Sequence, residues 1–142
     1  MPSTLEQVLS DAAAYIAYEP RKDEPDWRSY GLPERLASLV PRDPSSDPLS
    51  FADMVTQKHT TDSVCVLVPG TAFDAAGTRH GRGGGWYDRF LARVPKAWIR
   101  IGICDQEIFS SVPLQRMPWD EPMDFVLVRM PDGSLIAYET QR

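Results

Sequence analysis

The chain is organised around one glycine-rich stretch, Gly81-Arg82-Gly83-Gly84-Gly85-Trp86-Tyr87-Asp88-Arg89, whose residues 81–85 we call the glycine loop. Glycine loses more backbone entropy on folding than any other residue, so this density is favoured only where the backbone must turn sharply or present its N–H groups. Residues 79–100 carry five arginines and one lysine against the single acid Asp88. A basic, glycine-rich loop that opens a helix is typical of a phosphate site.

Strand-like runs lie on both sides of the glycine loop. Residues 64–68 form a continuous apolar, β-branched run that ends at Pro69-Gly70, and residues 97–104 form a second such run. Runs of this kind are typical of strands buried on both faces, as in a parallel sheet. A helix is predicted between them over residues 84–93, because its apolar residues share one face and Pro95 stops it. This order predicts a parallel α/β unit with a right-handed crossover.

The C-terminal part of the chain adds a strand and a hairpin to this unit. Residues 125–130 are apolar and predict a third strand. The turn signal Pro131-Asp132-Gly133 follows, and residues 135–138 are then the returning strand. We therefore expect an α/β protein with a mostly parallel sheet.

Length and composition limit the class of protein. The 142 residues carry a net charge of −5, with 42% apolar and 25% charged residues, which fits one domain with a sizeable core. No apolar run approaches the roughly 20 residues of a membrane span, and residues 1–10 do not resemble a signal peptide, so we expect a cytoplasmic protein without membrane contact. The acidic balance argues against a nucleic-acid partner. Cys65 and Cys104 are expected to be buried free thiols.

The first third of the chain is expected to be less regular. Apolar residues at three- and four-residue spacing predict an amphipathic helix over residues 4–18, begun by a capping box of Ser3 and Glu6. Six of the thirteen prolines lie in residues 19–48, where they prevent long elements. We expect ordered coil that wraps the domain there, with a short helix at residues 33–39.

Two aromatics in this proline-rich segment, Trp27 and Tyr30, are expected to anchor it to the core, the alternative being that they line a ligand pocket. A short helix is predicted over residues 50–56, with Ser50 as its cap. The single domain, residues 1–142, is thus divided into an N-terminal helix (1–18), a wrapping segment (19–62) and an α/β core (63–142).

The glycine loop matches neither common phosphate motif. A Walker loop ends in Gly-Lys-Ser/Thr, and the third glycine of a dinucleotide fingerprint is missing here. The arginines around it, Arg79, Arg82 and Arg89, favour an anion site. The alternative interpretation is that the glycines only allow tight packing of helix against strand.

Asp88 is the one acid in this basic region. It either forms a salt bridge with Arg89 or Arg93, or it binds Mg²⁺. Protein sites for Mg²⁺ use one or two carboxylates together with substrate phosphates, so a second acid is then expected nearby. Asp124 and Asp105 are the candidates.

The glycine loop is part of a longer pattern, which comprises Val68-Pro69-Gly70-Thr71-Ala72-Phe73-Asp74, Gly77, Arg79, the stretch from Gly81 to Leu91, Ile101-Gly102, Val112-Pro113 and Pro122-Met123-Asp124. This pattern resembles the 5-formyltetrahydrofolate cyclo-ligase (methenyltetrahydrofolate synthetase) family over about residues 64–128. The resemblance implies a three-layer α/β fold related to sugar-phosphate isomerases and CoA transferases. It also implies the use of ATP and Mg²⁺ to convert a reduced folate, 5-formyltetrahydrofolate, to 5,10-methenyltetrahydrofolate.

The resemblance also implies roles for individual residues. The implied catalytic residues are Arg79, Tyr87 and Asp88, and the implied metal ligands are Asp88 and Asp124. The implied ATP-binding residues are Arg79, Gly81, Arg82, Gly83, Gly84, Gly85, Trp86 and Tyr87.

The N-terminal region departs from the family pattern. Family members begin with a basic helix that contacts ATP, followed by βα units that form much of the folate pocket, whereas the helix predicted here over residues 4–18 has no lysine or arginine. We therefore expect a sheet truncated on this side. Three hypotheses follow: an active cyclo-ligase with a rebuilt N-terminal region, a divergent enzyme acting on another phosphorylated substrate, or a non-catalytic or partner-dependent nucleotide- or phosphate-binding protein.

Two expectations test the first hypothesis and the state of assembly. In a rebuilt site, basic residues between Arg21 and Arg42 approach Gly83, and Trp27 or Tyr30 stacks on the pterin. An exposed sheet edge on the truncated side would allow a homodimer.

Overall fold

A computed structural model describes residues 4–43 and 45–140. Nine strands, three α-helices and two short 3₁₀ helices are found in this part of the chain. The α-helices are α1 (Leu5–Asp11), α2 (Pro48–Lys58) and α3 (Trp86–Arg93), and the 3₁₀ helices are Trp27–Tyr30 and Gln106–Ile108. The strands are β1 (Ala14–Ala17), β2 (Leu36–Leu39), β3 (Val64–Val68), β4 (Ala72–Asp74), β5 (Arg79–His80), β6 (Ile99–Asp105), β7 (Phe109–Ser110), β8 (Phe125–Arg129) and β9 (Leu135–Glu139).

Six strands form one central sheet in the order β2-β1-β3-β6-β8-β9. All neighbours are parallel except β8 and β9, which form the predicted antiparallel hairpin. Every residue of β3 is buried, as expected for a strand covered on both faces. The prediction of an α/β fold with a mostly parallel sheet is confirmed.

Both faces of the sheet are covered by apolar residues. On one face, helices α2 and α3 pack through Phe51, Val55 and Phe90 against the sheet. On the other face, Leu5 and Leu9 of α1 lie in a second cluster together with aromatics from the first 30 residues. The sheet is therefore the middle layer of the molecule.

The first helix is much shorter than predicted. It ends at Asp11, and Ala12 already has extended backbone angles, with φ −66° and ψ 129°. The next apolar residues form β1, all four of them buried between β2 and β3. A short apolar run is compatible with the period of a helix and with that of a strand. Here the run forms a strand because it hydrogen-bonds to β2 on one side and to β3 on the other. Thr4 caps α1 by accepting from Gln7 N, and Ser3 lies outside the described residues.

The prediction of a short helix at residues 33–39 is wrong as well, because Leu36–Leu39 forms strand β2, which pairs in parallel with β1. Residues 18–35, which we call the strap, connect these two strands. The helix predicted at residues 50–56 exists but is longer, beginning after its cap Asp47, whose carboxylate accepts from Leu49 N.

Trp27 and Tyr30 anchor the strap to the core, as predicted. Trp27 is 8% exposed and donates from Nε1 to the carbonyl oxygen of Tyr18, at 2.8 Å. Tyr30 is 2% exposed, and its hydroxyl donates to the carbonyl oxygen of Cys104 at 2.8 Å. Because both rings are buried in this way, neither is free to stack on a pterin.

A small second sheet, β5-β4-β7, lies next to the glycine loop. Its central strand places Phe73 fully inside the core, against the backbone of β6. A Cβ atom on Gly102 would collide with the Phe73 ring, so this position of β6 requires glycine. The small sheet thereby fixes β5, which leads directly into the glycine loop.

Candidate active site

The main cavity of the described residues lies at the carboxyl ends of β1, β2 and β3. Its volume is about 760 Å³, within the usual range of ligand sites. Tyr18, Val40 and Pro69, each the first residue after one of these strands, contribute to its walls. Ligands in open α/β sheets bind at this edge, outside the carboxyl ends of the strands.

The glycine loop forms one wall of the cavity. Gly83 and Gly85 have φ values of 92° and 69°, in a region that residues other than glycine rarely adopt. Cβ atoms on Gly83, Gly84 or Gly85 would meet nothing within 4 Å. The glycines at these three positions therefore allow the backbone conformation and leave the backbone open to a ligand. They are not required by tight packing of helix against strand. Gly81 differs, since a Cβ there would press on the Arg79 guanidinium, at 2.8 Å.

Helix α3 begins where the glycine loop ends. Its cap is Gly85, which has no side chain to accept from the first-turn N–H groups. Those N–H groups and the positive end of the helix dipole make such a terminus suitable for an anion. Trp86 and Tyr87 follow directly and line the cavity.

Arg79 and Tyr87 form a pair at the base of the cavity. The Arg79 guanidinium lies 4.8 Å from the centre of the Tyr87 ring, and its Nε donates to the carbonyl oxygen of Pro69. Burial lowers the pKa of Arg79 and raises the pKa of the Tyr87 hydroxyl, which Arg79 partly offsets. Tyr87 therefore remains a hydrogen-bond donor at neutral pH.

Arg82 reaches across the cavity to the strap. Its Nη2 lies 2.6 Å from Asp23 Oδ1 and 3.7 Å from Glu24 Oε2. The pKa of Asp23 is lowered by this hydrogen bond. Arg21 of the strap and Arg42, three residues beyond β2, line the same cavity as Gly83. The expectation that basic residues of this region approach the glycine loop is confirmed for these two.

Other basic residues of the strap have different partners. Arg28 pairs with Glu19 and Asp26, and its guanidinium lies over the Trp27 ring. Arg35 donates from Nε to the carbonyl oxygen of Ala12. These two arginines hold the strap in place and are not part of the cavity wall.

Asp88 lies in the first turn of α3 and faces the cavity. Its Oδ1 accepts from Glu121 N at 3.0 Å. Burial raises the pKa of Asp88, partly offset by this hydrogen bond and by the charge of Arg79. Within the described residues no ion pair joins Asp88 to Arg89 or Arg93, and Arg93 pairs with Asp53 instead. The salt-bridge interpretation of Asp88 is therefore not observed.

The two acids suggested as partners of Asp88 lie elsewhere. Asp124 precedes β8, at the amino end of that strand, and its Oδ2 accepts from Arg100 N at 2.8 Å. Asp105 pairs with Arg129 and accepts from the Tyr30 hydroxyl. Neither lines the cavity, whereas Asp120, which the sequence reasoning missed, does. No cluster of three metal-binding side chains occurs among the residues that the structure describes.

Fold and cavity together define an α/β protein with a glycine-rich loop and several arginines at the carboxyl edge of its parallel strands. The model of the 5-formyltetrahydrofolate cyclo-ligase family matches residues 43–129. The chain belongs to this family.

Two curated relatives carry the same name, 5-formyltetrahydrofolate cyclo-ligase. The protein from Mycoplasma genitalium is 29% identical over 94 residues, which are 66% of this chain and 56% of the relative. The protein from Mycoplasma pneumoniae is 26% identical over 115 residues, which are 78% of this chain and 69% of the relative. The chain thus matches little more than half the length of the first relative.

Solved structures with the same fold include two 5,10-methenyltetrahydrofolate synthetases. The one from Mycoplasma pneumoniae has a TM-score of 0.56 and 19% identity, covering 81% of this chain and 72% of that protein. The one from Aquifex aeolicus has a TM-score of 0.56 and 21% identity, covering 96% of this chain and 82% of that protein. The likeness of fold therefore extends to most of the N-terminal region.

No helix within residues 4–43 and 45–140 is long and apolar enough to cross a membrane.

Proposed function

We propose that this protein converts 5-formyltetrahydrofolate to 5,10-methenyltetrahydrofolate with ATP, releasing ADP and phosphate. Family membership supports this reaction. The observation that carries it is the position of Arg21 and Arg42, which line the same cavity as the glycine loop. They supply cationic groups from the N-terminal side of the chain, although the predicted first helix has no lysine or arginine.

The arginines of the cavity suit the phosphates of a nucleoside triphosphate. Five arginines and five acids line it, and the arginines are Arg21, Arg42, Arg79, Arg82 and Arg89. Arginine binds phosphate oxygens through a planar set of donors, often two at a time. The start of α3, whose first N–H groups have no side-chain cap, adds backbone donors. We propose that residues 81–87 hold the phosphates and that Arg79 and Arg82 neutralise their charge.

The cavity also suits a magnesium ion bound with the phosphates. Asp88 and Asp120 are among the acids that line the cavity, and a site of one or two carboxylates plus phosphate oxygens and water is typical of Mg²⁺. We propose Asp88 as the principal metal ligand. For the second carboxylate, Asp120 shares the cavity with Asp88, while Asp124 stays the prediction drawn from the family pattern.

ATP supplies the phosphoryl group that makes the formyl oxygen a leaving group, after which a neighbouring folate nitrogen attacks the same carbon. The protein has to hold both substrates in line and to stabilise charge on the phosphates. We propose the Tyr87 hydroxyl, which is protonated at neutral pH, as a hydrogen-bond donor to the substrate beside Arg79. The ion pair between Asp23 and Arg82 brings the strap to the edge of the glycine loop.

The test is the formation of the methenyl product, which absorbs in the near ultraviolet, together with the release of ADP. We expect both signals to depend on ATP, Mg²⁺ and 5-formyltetrahydrofolate and to appear in equal amounts. Folded protein that binds ATP with Mg²⁺ and forms no methenyl product would contradict the proposal. That result would favour a non-catalytic, nucleotide-binding role.

A further inference from the structure

We propose that Trp119 is a stacking platform for the planar heteroaromatic ring of a bound substrate, either the purine of the nucleotide or the pterin of the folate. This inference rests on the proposed function and adds to it a residue that sets affinity for the ring. Trp119 lies in the loop between β7 and β8 and is part of the cavity wall.

The exposure of Trp119 separates it from the other three tryptophans. It is 64% exposed, whereas Trp27 and Trp98 are buried at 8% and 4%. Trp86 is partly buried, stacks on Phe90 with ring centres 5.3 Å apart and donates to Ser46. Within the described residues, no other ring contacts the indole of Trp119.

Backbone and side-chain hydrogen bonds hold the loop that carries Trp119. His80 Nε2 donates to the carbonyl oxygen of Gln115 at 2.7 Å, and Arg116 donates to Thr78 Oγ1 at 2.8 Å. Met117 N donates to Asp120 Oδ2, which closes a turn that contains Trp119. An exposed aromatic on a fixed loop loses little entropy when a ring stacks on it, and so it is suited to binding.

A further hydrogen bond connects this loop to the proposed metal ligand. Glu121 N donates to Asp88 Oδ1 at 3.0 Å, so the loop with Trp119 is attached to the proposed metal ligand. The glycine loop and its arginines form another part of the same cavity. A ligand with a phosphate or carboxylate at one end and a flat ring at the other can therefore contact both. Every purine and pterin presents a π-face, and an indole stacks on such faces well.

The test compares wild type, Trp119→Phe and Trp119→Ala in binding ADP, inorganic triphosphate and 5-formyltetrahydrofolate. We expect Trp119→Ala to lower the affinity for one ring-bearing ligand by at least roughly fivefold. This is the lower limit of the affinity lost when an aromatic side chain under a stacked base is replaced by alanine. Triphosphate has no ring, so its affinity should not change. Trp119→Phe keeps a ring and should bind close to wild type.

The ligands distinguish the two sources of the ring. Weaker binding of ADP with unchanged binding of 5-formyltetrahydrofolate assigns the platform to the purine. The reverse pattern assigns it to the pterin. Val112→Ala is the control, since Val112 is equally exposed in the same loop but lies outside the cavity wall.

Three results would overturn the inference. The first is Trp119→Ala with wild-type affinity for both ring-bearing ligands. The second is an equal loss for triphosphate, which would mean that the variant distorts the phosphate contacts. The third is a wild-type protein that binds neither ADP nor 5-formyltetrahydrofolate, and this result alone would also overturn the proposed function.

Discussion

At the scale of single residues, the side chain of Arg82 is committed to two roles. It belongs to the glycine loop, yet it pairs with Asp23 and approaches Glu24 of the strap. A phosphate that binds this guanidinium has to compete with those carboxylates. The strap therefore screens the charge that Arg82 brings to the glycine loop.

We predict that Asp23→Asn increases the affinity for inorganic triphosphate, because Arg82 then loses an anionic competitor. Both side chains of the pair are about half exposed, so the gain should be modest, up to about fivefold at low salt. Isothermal titration calorimetry measures it. Asp53→Asn is the matched control, because Asp53 forms an exposed arginine pair remote from the cavity. Equal affinity for wild type and Asp23→Asn would show that Arg82 is not a phosphate ligand.

The three acids proposed as metal ligands give a second prediction. Asp88→Asn should abolish the Mg²⁺ dependence of ADP binding, and Asp120→Asn should weaken it, because both acids line the cavity. Asp124→Asn tests the family-derived ligand, and asparagine can still accept from Arg100 N. Titration of each variant with Mg²⁺ at fixed ADP ranks the three. Unchanged Mg²⁺ dependence in Asp88→Asn would exclude it as the metal ligand.

The pH dependence of this site follows from Asp88, whose pKa is raised chiefly by burial. A carboxyl group with a raised pKa stabilises the fold below its unfolded pKa, and this contribution is lost as pH rises through its folded pKa. Metal binding has the opposite sign, because only the ionised carboxylate binds Mg²⁺. Mg²⁺ affinity should therefore fall on acidification at a higher pH than an ordinary aspartate would give.

At the scale of elements, the junction between the glycine loop and α3 depends on backbone conformation. Gly85 caps α3 with φ 69°, whereas Gly84 has an ordinary negative-φ or extended backbone and open space around it. We predict that Gly85→Ala lowers the free energy of unfolding by roughly 1–2 kcal/mol, the cost of a left-handed residue with a side chain. Gly84→Ala is the control and should have a much smaller effect in urea denaturation. Equal losses in the two variants would mean that the left-handed cap is not the cause.

The elements also show what the sequence could and could not predict. Strands β3, β6 and β8 and helix α3 were predicted because long apolar runs and Pro or Gly at their ends leave little choice. Strands β1 and β2 were missed because each has four residues, too few to separate the periods of helix and strand. Their conformation is decided by pairing with β3, which is distant in sequence.

The same limit applies to the site. The glycine loop, Arg79 and Asp88 were found because a local pattern marks them. Arg42 could be named only as the end of a range of basic residues, because it reaches the cavity through β2, and the rule for parallel sheets places it there only once that strand is known. Asp120 and Trp119 are positioned by bonds such as Leu114 N to Asp74 Oδ2, which leave no pattern in the sequence.

At the scale of the whole molecule, β2 is an edge strand with exposed apolar residues. Leu36 is 68% exposed and Leu39 41% exposed. In the described residues β2 pairs only with β1, so its other edge is open to a strand of a second copy. Unprotected edges of this kind favour association.

We predict a homodimer through β2 at high protein concentration, and Leu36→Lys should shift it to monomer in sedimentation velocity. Leu135→Lys is the control, since Leu135 is a similarly exposed leucine on the opposite edge strand, β9. A wild type that sediments as a monomer at all concentrations would contradict the prediction. So would an equal shift in both variants.

The connection from β1 to β2 has a consequence for how this site can diverge. The strap is the crossover that joins two adjacent parallel strands, and it also supplies Arg21, Asp23 and Glu24 to the region of the glycine loop. An insertion or deletion in it therefore alters substrate contacts and strand placement together. Change by substitution is free of this restriction, because it leaves the span between the strands unchanged. Selection for a new substrate would act on side chains of the strap while its length is kept.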